Sequence, residues 1–201
     1  MSVATKLLLS GAPQPTGSQV FTSGGTWTCP DYVYSVSVVC IGRGGNAGSF
    51  TDFQGITSYY YGGGGGGLGW RNNIAVTPGQ TYTVGVGDSY FVSIGTVRGA
   101  PGGNGTVNVT GAGGTFAGDG GFIGGDGGGY TGGTSNRVPG GGGGAANYDS
   151  NGSNGEVGTG PGPGTGVSSN NDGPYGGGGS ASTAGQPGVV QIRWGVGKGF
   201  P

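Results

Sequence analysis

The chain contains no histidine. That one absence removes Ser-His-Asp triads, Cys-His dyads, imidazole metal ligands and histidine general bases together. Charge is scarce as well. Seven basic and eight acidic residues leave a net of −1, and the bases Lys6, Arg43, Arg71, Arg98, Arg137, Arg193 and Lys198 stand singly, so there is no basic patch to attract nucleic acid. The acids are scattered too. Asp119 and Asp126 lie among glycines, whereas a glycosidase needs two carboxylates at a set separation on a rigid scaffold. Two cysteines, Cys29 and Cys40, are too few for a disulfide framework or a zinc site. If the segments carrying them are consecutive hairpin strands, the thiols lie far apart and are buried and free. No apolar run approaches the ~20 residues of a membrane span, and Lys6-Leu7-Leu8-Leu9 is too short for the core of a signal peptide. Gly127, Gly129 and Gly132 fit a dinucleotide-binding spacing, but no βαβ context surrounds them. The expectation is a protein without enzymatic activity, cofactor or metal.

What is abundant is glycine, 59 residues of 201. Glycine carries no reactive group and loses the most backbone entropy on folding, so a chain this rich in it is solving a problem of shape or surface. Its placement is uneven. Few glycines precede Gly42, Gly62 to Gly67 form a run of six, and the region from Gly111 to Gly185 is densest.

Outside those runs the pattern is β. Val20-Phe21-Thr22 and Thr26 to Cys29 flank Gly24-Gly25. Tyr34, Val36, Val38 and Cys40 occupy alternate positions of a half-buried strand. Asn73 to Thr77 resumes strand sequence, and Pro78-Gly79 is a turn signal. Tyr82, Val84 and Val86 share one face of the next strand. Tyr90 to Ile94 and Thr106 to Thr110 are shorter candidates. Val190, Ile192 and Trp194 mark one face of the last strand. No segment has a helical period.

Between Gly111 and Gly185 large apolar residues become too sparse for a conventional sandwich. Glycine instead recurs locally at every third position: Gly118, Gly121, Gly124 and Gly127; Gly152, Gly155 and Gly158; Gly173, Gly176 and Gly179. Period three matches the three-residue turn of an extended left-handed helix. Bundled helices of that kind can approach closely through glycine faces and satisfy one another's amides. The alternative is a flexible linker, against which stand the interleaved Tyr130, Tyr148 and Tyr175 and the strand that closes after them. The expected fold is therefore all-β: a small β-sandwich with an inserted glycine-rich lobe of polyglycine-II-type helices and almost no α-helix. Residues 1–17 form a docking arm or flexible leader. Residues 18–110 and 186–195 supply the sandwich, and 111–185 the lobe.

Seven aromatics stand out as candidate binding residues. Tyr59, Tyr60 and Tyr61 precede the six-glycine run and Trp70 follows it, while Tyr130, Tyr148 and Tyr175 lie in separate glycine-rich segments. Aromatics on rigid loops offer large contact area at low entropic loss. The alternative is that these rings pack on glycine faces as local core.

The order Val20-Phe21-Thr22 to Trp27-Thr28-Cys29-Pro30, the valine-rich strand to Ile41-Gly42, the glycine run, Val76-Thr77-Pro78-Gly79-Gln80-Thr81-Tyr82-Thr83-Val84-Gly85-Val86-Gly87, and Gly188-Val189-Val190-Gln191-Ile192-Arg193-Trp194 resembles the glycine-rich domain of bacteriophage tail-fibre and minor tail proteins. Residues 111–185 also look like the polyglycine-helix sandwich of tip adhesins in T-even-type phages, in which loops between the helices bind bacterial surface receptors. The chain departs from those adhesins in being short and in lacking their extended attachment domain. The resemblance implies a virion structural protein: a tail-fibre or tail-tip adhesin that binds a host-surface receptor, a glycan or outer-membrane protein, through glycine-rich loops. It would dock on other virion proteins through the leader and form a homo-oligomer. The alternative is a capsid decoration or head-fibre protein anchored through that leader.

Overall fold

A computed structural model describes residues 15–51, 57–59, 61–130, 140–156, 167–168, 174–180 and 183–201; for residues 50, 51, 57–59, 167, 168 and 174 it describes the backbone alone. In chain order the strands are β1 (Gly17–Phe21), β2 (Gly25–Thr28), β3 (Ser35–Ile41), β4 (Ser49–Thr51), β5 (Thr57–Tyr59), β6 (Leu68–Ala75), β7 (Thr81–Gly85), β8 (Ser89–Phe91), β9 (Val97–Gly99), β10 (Phe116–Ala117), β11 (Gly120–Phe122), β12 (Val167–Ser168), β13 (Pro174–Tyr175) and β14 (Val189–Trp194). Two five-stranded antiparallel sheets, β1-β14-β3-β6-β11 and β10-β9-β8-β7-β2, face each other as a small sandwich, and the described residues contain no helix.

The alternating pattern fixes which side chains point inward. Val36, Val38 and Cys40 of β3, Val84 of β7, and Val190 and Ile192 of β14 are buried together between the sheets. Trp27 anchors this core, with ring centroids 6.0 Å from Tyr82, 5.9 Å from Phe91 and 5.8 Å from Trp194. Each such ring contributes roughly 2–3 kcal/mol by leaving water. Both cysteines are free and buried, as expected. The hairpin expected to carry them does not exist: β2 pairs with β7 in one sheet and β3 with β14 and β6 in the other. The chain crosses between sheets at both Gly24 and Pro30, so strands adjacent in sequence serve opposite layers.

β3 is also not half-buried. Val39 and Ile41 on its other face join Leu68, Trp70, Ala146, Tyr175, Val189 and Phe200 in a second core. The carboxyl-terminal strap, Gly195 to Pro201, folds back over the first sheet to close it. Asn72 holds the strap at both polar atoms: Phe200 N donates to Asn72 Oδ1 at 2.8 Å, and Asn72 Nδ2 donates to Phe200 O at 3.1 Å. Asn72 reaches the strap because β6 bulges there. Val36 pairs with Ile74 but Val38 with Arg71, and Asn73 takes φ 55°. A bulge re-aims neighbouring side chains.

The glycine lobe is a hexagonal bundle. Its centre is segment 61–67, whose amides donate in rotation to three neighbours: Gly62 and Gly65 to Gly128 and Gly125, Gly63 and Gly66 to Gly179 and Gly176, Gly64 and Gly67 to Gly103 and Ala100, all at 2.7–3.0 Å. Its carbonyls accept in the same rotation from three others: Tyr61 and Gly64 from Gly48 and Gly45, Gly62 and Gly65 from Gly111 and Gly114, Gly63 and Gly66 from Gly143 and Ala146. Six segments therefore surround one, each bonded at every third residue, as the threefold helix requires. Further bonds, such as Gly102 N to Arg43 O and Gly178 N to Gly143 O, close the ring. Segments 151–156 and 183–187 lie outside it.

The lobe thus extends beyond the expected 111–185. Segments 42–48, 61–67 and 100–105 belong to it, while Gly118 and Gly121 fall in the β10–β11 hairpin. Thr106 to Thr110 is not a strand but a turn between two bundle segments, closed by Thr106 N to Val109 O at 2.8 Å. Valine and threonine at alternate positions favour a strand, yet the hydroxyl of Thr106, accepting from Asn108 N and Val109 N, stabilises a local turn instead.

Candidate functional site

The strands and bundle segments run end to end, which gives the molecule two distinct ends. β3 passes into segment 42–48, segment 61–67 returns into β6, and β9 passes into 100–105. Turns therefore gather at the end of the bundle remote from the sandwich. The β4–β5 strand pair, the 106–109 turn, Tyr130, Glu156, and Ser180 bonded to Thr183 all lie there. The opposite end belongs to the sandwich, and the amino-terminal chain arrives at it: Gly17 pairs with Trp194, and Thr16 lies beside Gly195.

The bundle holds its far end rigidly. A Cβ placed on any residue from Gly62 to Gly67 would fall inside van der Waals contact with a backbone carbonyl of a neighbouring segment. Such backbones cannot separate or slide without breaking bonds in six directions. At the rim, side-chain amides complete the network. Asn104 Oδ1 accepts from Asn46 N at 2.9 Å, and Asn46 Oδ1 accepts from Gly185 N at 2.9 Å. The 106–109 turn stands on this base, on the surface where binding residues are usually carried.

No family model matches the chain, and no curated protein matches it.

The seven candidate aromatics separate into two groups. Tyr61 and Tyr130 meet at the remote end, edge to face, with centroids 5.2 Å apart and rings inclined 86°. Both are partly exposed. Tyr59 ends β5 at the same end, described by its backbone, and Tyr60 lies outside the described residues. Trp70, Tyr148 and Tyr175 sit beside the sandwich instead. Trp70 and Tyr175 are 8% and 5% exposed, in the second core. Trp70 leans on Phe122 at 5.9 Å, and Tyr148 stacks parallel on Phe200 at 6.1 Å. Burial pushes the Tyr148 phenol above its ordinary pKa, opposed by the positive charge of Arg193, and its hydroxyl has no hydrogen-bond partner. These three rings do the packing that the alternative reading assigned to them.

Val107 and Val109, 39% and 61% exposed on the 106–109 turn, are apolar residues at the remote end that sequence reasoning placed in a strand. The Thr-Val-Asn-Val pattern, with a hydroxyl able to cap its own turn, was the available signal. Chemically, this end offers rings, two exposed valines and backbone at a turn. Among the described residues no group of His, Cys, Asp or Glu is placed to hold a metal ion.

Proposed function

We propose that this protein is a bacteriophage virion protein, a tail-fibre or tail-tip adhesin, which presents the loops at the remote end of its glycine bundle to a receptor on the host surface. The observation that carries this reading is the division between the two ends. Thr16 and Gly17 lie at the sandwich end, and Tyr61, Tyr130 and the 106–109 turn with Val107 and Val109 lie at the other. An attachment protein requires that polarity: one end fixed to the particle, the other free to meet the cell. The leader before Gly17 docks on other virion proteins, and copies assemble with the symmetry of the fibre. The receptor is a glycan or an outer-membrane protein, either of which tyrosine rings can contact.

The test is binding of purified, fluorescently labelled protein to host cells, together with immunogold labelling of particles. The reading expects saturable binding that falls about tenfold or more when Tyr61 and Tyr130 are changed together to alanine, and gold at the tail tip. Gold distributed over the head, with no cell binding, would replace it with the capsid-decoration alternative.

A further inference from the structure

Positive charge and concavity coincide on the outer face of the first sheet. Arg71 is paired with Asp119 and Arg98 with Asp88. Among the described residues Arg43, Arg193 and Lys198 lack a carboxylate partner, and the last two line both of two neighbouring clefts of about 390 and 350 Å³. Strand register puts Ser18, Arg193 and Ser37 side by side on β1, β14 and β3, all on the face away from the main core. Asn72 and Asn73 of the β6 bulge complete the first cleft, and Gln191 helps to line the second.

Arg193 is held in place before any ligand arrives. Its Nε and Nη2 donate to Gln191 Oε1 at 3.2 and 2.9 Å, and its guanidinium lies 4.5 Å above the Phe200 ring. Phe200 is fixed by the two bonds to Asn72. A guanidinium has five N–H donors, so three remain, in the planar geometry that suits a carboxylate. The groups around it are hydroxyls and amides. Of the side chains lining the clefts, few are apolar, and Val196 is almost fully exposed, so the buried anchor that a peptide ligand needs is missing.

We infer that Arg193, Lys198 and the flanking Ser18, Ser37, Asn72 and Asn73 form a binding site for an acidic oligosaccharide, its carboxylate on Arg193 and its neighbouring sugar units in the clefts on either side. The hydroxyl-rich ligand matches the hydroxyl and amide lining, and the two clefts straddling one fixed cation match a chain of sugars better than a lone anion. This site lies away from the remote loops and does not rest on the adhesin reading.

The test is a nuclear magnetic resonance titration of the full chain, labelled with nitrogen-15, using hyaluronan tetrasaccharide as the uronic-acid probe and chitotetraose as its neutral counterpart. The site expects saturable shifts of the Asn72, Asn73 and Gln191 side-chain amides and of Arg193 Nε. Affinity for the neutral sugar should be about tenfold weaker. Lys198→Ala, at an exposed position, should weaken binding several-fold with the melting temperature unchanged, and Arg193→Gln about tenfold or more. Equal shifts with chitotetraose, binding indifferent to Lys198→Ala, or equal affinity for inorganic phosphate or a hexaglutamate peptide would overturn the assignment.

Discussion

At the scale of single residues, the glycines divide into those that exclude a side chain and those that do not. A Cβ on Gly65 would meet the carbonyl and carbon of Gly144, both backbone, whereas one on Gly25 meets nothing within 4 Å. Gly65→Ala must therefore force neighbouring segments of the bundle away from each other. It should destabilise by about 3 kcal/mol or more, the upper range for overpacking, in a denaturant melt. Gly25→Ala should be neutral or stabilising by up to about 1 kcal/mol, by lowering the entropy of the unfolded chain. Equal losses for the two would show that bundle packing does not discriminate. Val92 presents the reverse case. It has φ 66°, and Ser93 N bonds to Phe91 O at 2.8 Å across it. That is a tight three-residue turn of the rare, strained hand, at a β-branched residue suited to it least. Val92→Gly should raise stability by about 1 kcal/mol, strain relief outweighing the extra flexibility of the unfolded chain. A lower melting temperature for this exposed position would mean that its side chain has a packing role.

At the scale of elements, glycine marks the sides on which a segment packs against its neighbours, and other residues mark the sides that face solvent. The centre, bonded on all sides, is glycine from Gly62 to Gly67. The segment containing Gly140 to Gly144 touches the centre, two ring neighbours and 151–156, and has a run of five. In ring segments with a free side, exposed residues recur at every third position: Arg43, Asn46 and Ser49, or Ile123 and Asp126. The outer segment, Asn151-Gly152-Ser153-Asn154-Gly155-Glu156, uses its repeat in three ways. Asn151 and Asn154 accept from Ile123 N and Asp126 N through their side chains. Gly152 N and Gly155 N donate to the carbonyls of those same two residues, while the carbonyls of Ser153 and Glu156 accept from Gly144 N and Gly141 N. Asn154→Ala should then cost about 1 kcal/mol, and amide exchange should quicken at Asp126. Unchanged exchange at Asp126 would mean that water replaces the amide without loss. Period three was legible in the sequence here, as were the main-core faces of β3, β7 and β14. The centre of the bundle was not: an unbroken run of six glycines has no period to detect, and it resembles an interruption until its six neighbours are known. The second core was hidden because its members, Leu68, Ala146, Tyr175 and Phe200, come from segments with no shared pattern. The same gap drew Trp70, Tyr148 and Tyr175 in among the binding rings, since sequence cannot say which aromatic has a partner to cover it.

At the scale of the whole molecule, sandwich and bundle share their chain segments and are expected to melt together. Segments 42–48, 61–67, 100–105 and 123–128 each continue directly from or into a strand, and 183–187 leads into β14, so releasing the bundle pulls on β3, β6, β9, β11 and β14 together. A titratable group in the sandwich should then govern the bundle as well. Cys40 lies fully buried in the main core, and burial pushes its thiol far above the ordinary value of 9.0. Burial, reinforced by Asp31, raises the Cys29 thiol, and burial raises Tyr148. All three are neutral when protonated, and the folded state holds those protons more tightly than the unfolded one. Their contribution is therefore fully present below the unfolded pKa values and is lost as pH rises above them. Above about pH 9 each thiol can remove up to ~1.4 kcal/mol per pH unit. Trp27 fluorescence, reporting the sandwich, and exchange of the Gly64 and Gly65 amides, reporting the bundle, should both show a stability that is level between pH 6 and 8, a range in which no histidine titrates, and that falls above about pH 9. Cys40→Ala should lower the plateau, by the cavity it opens, and flatten the alkaline fall in both probes. Two separate transitions, with the glycine amides indifferent to Cys40→Ala, would show instead that the bundle folds on its own.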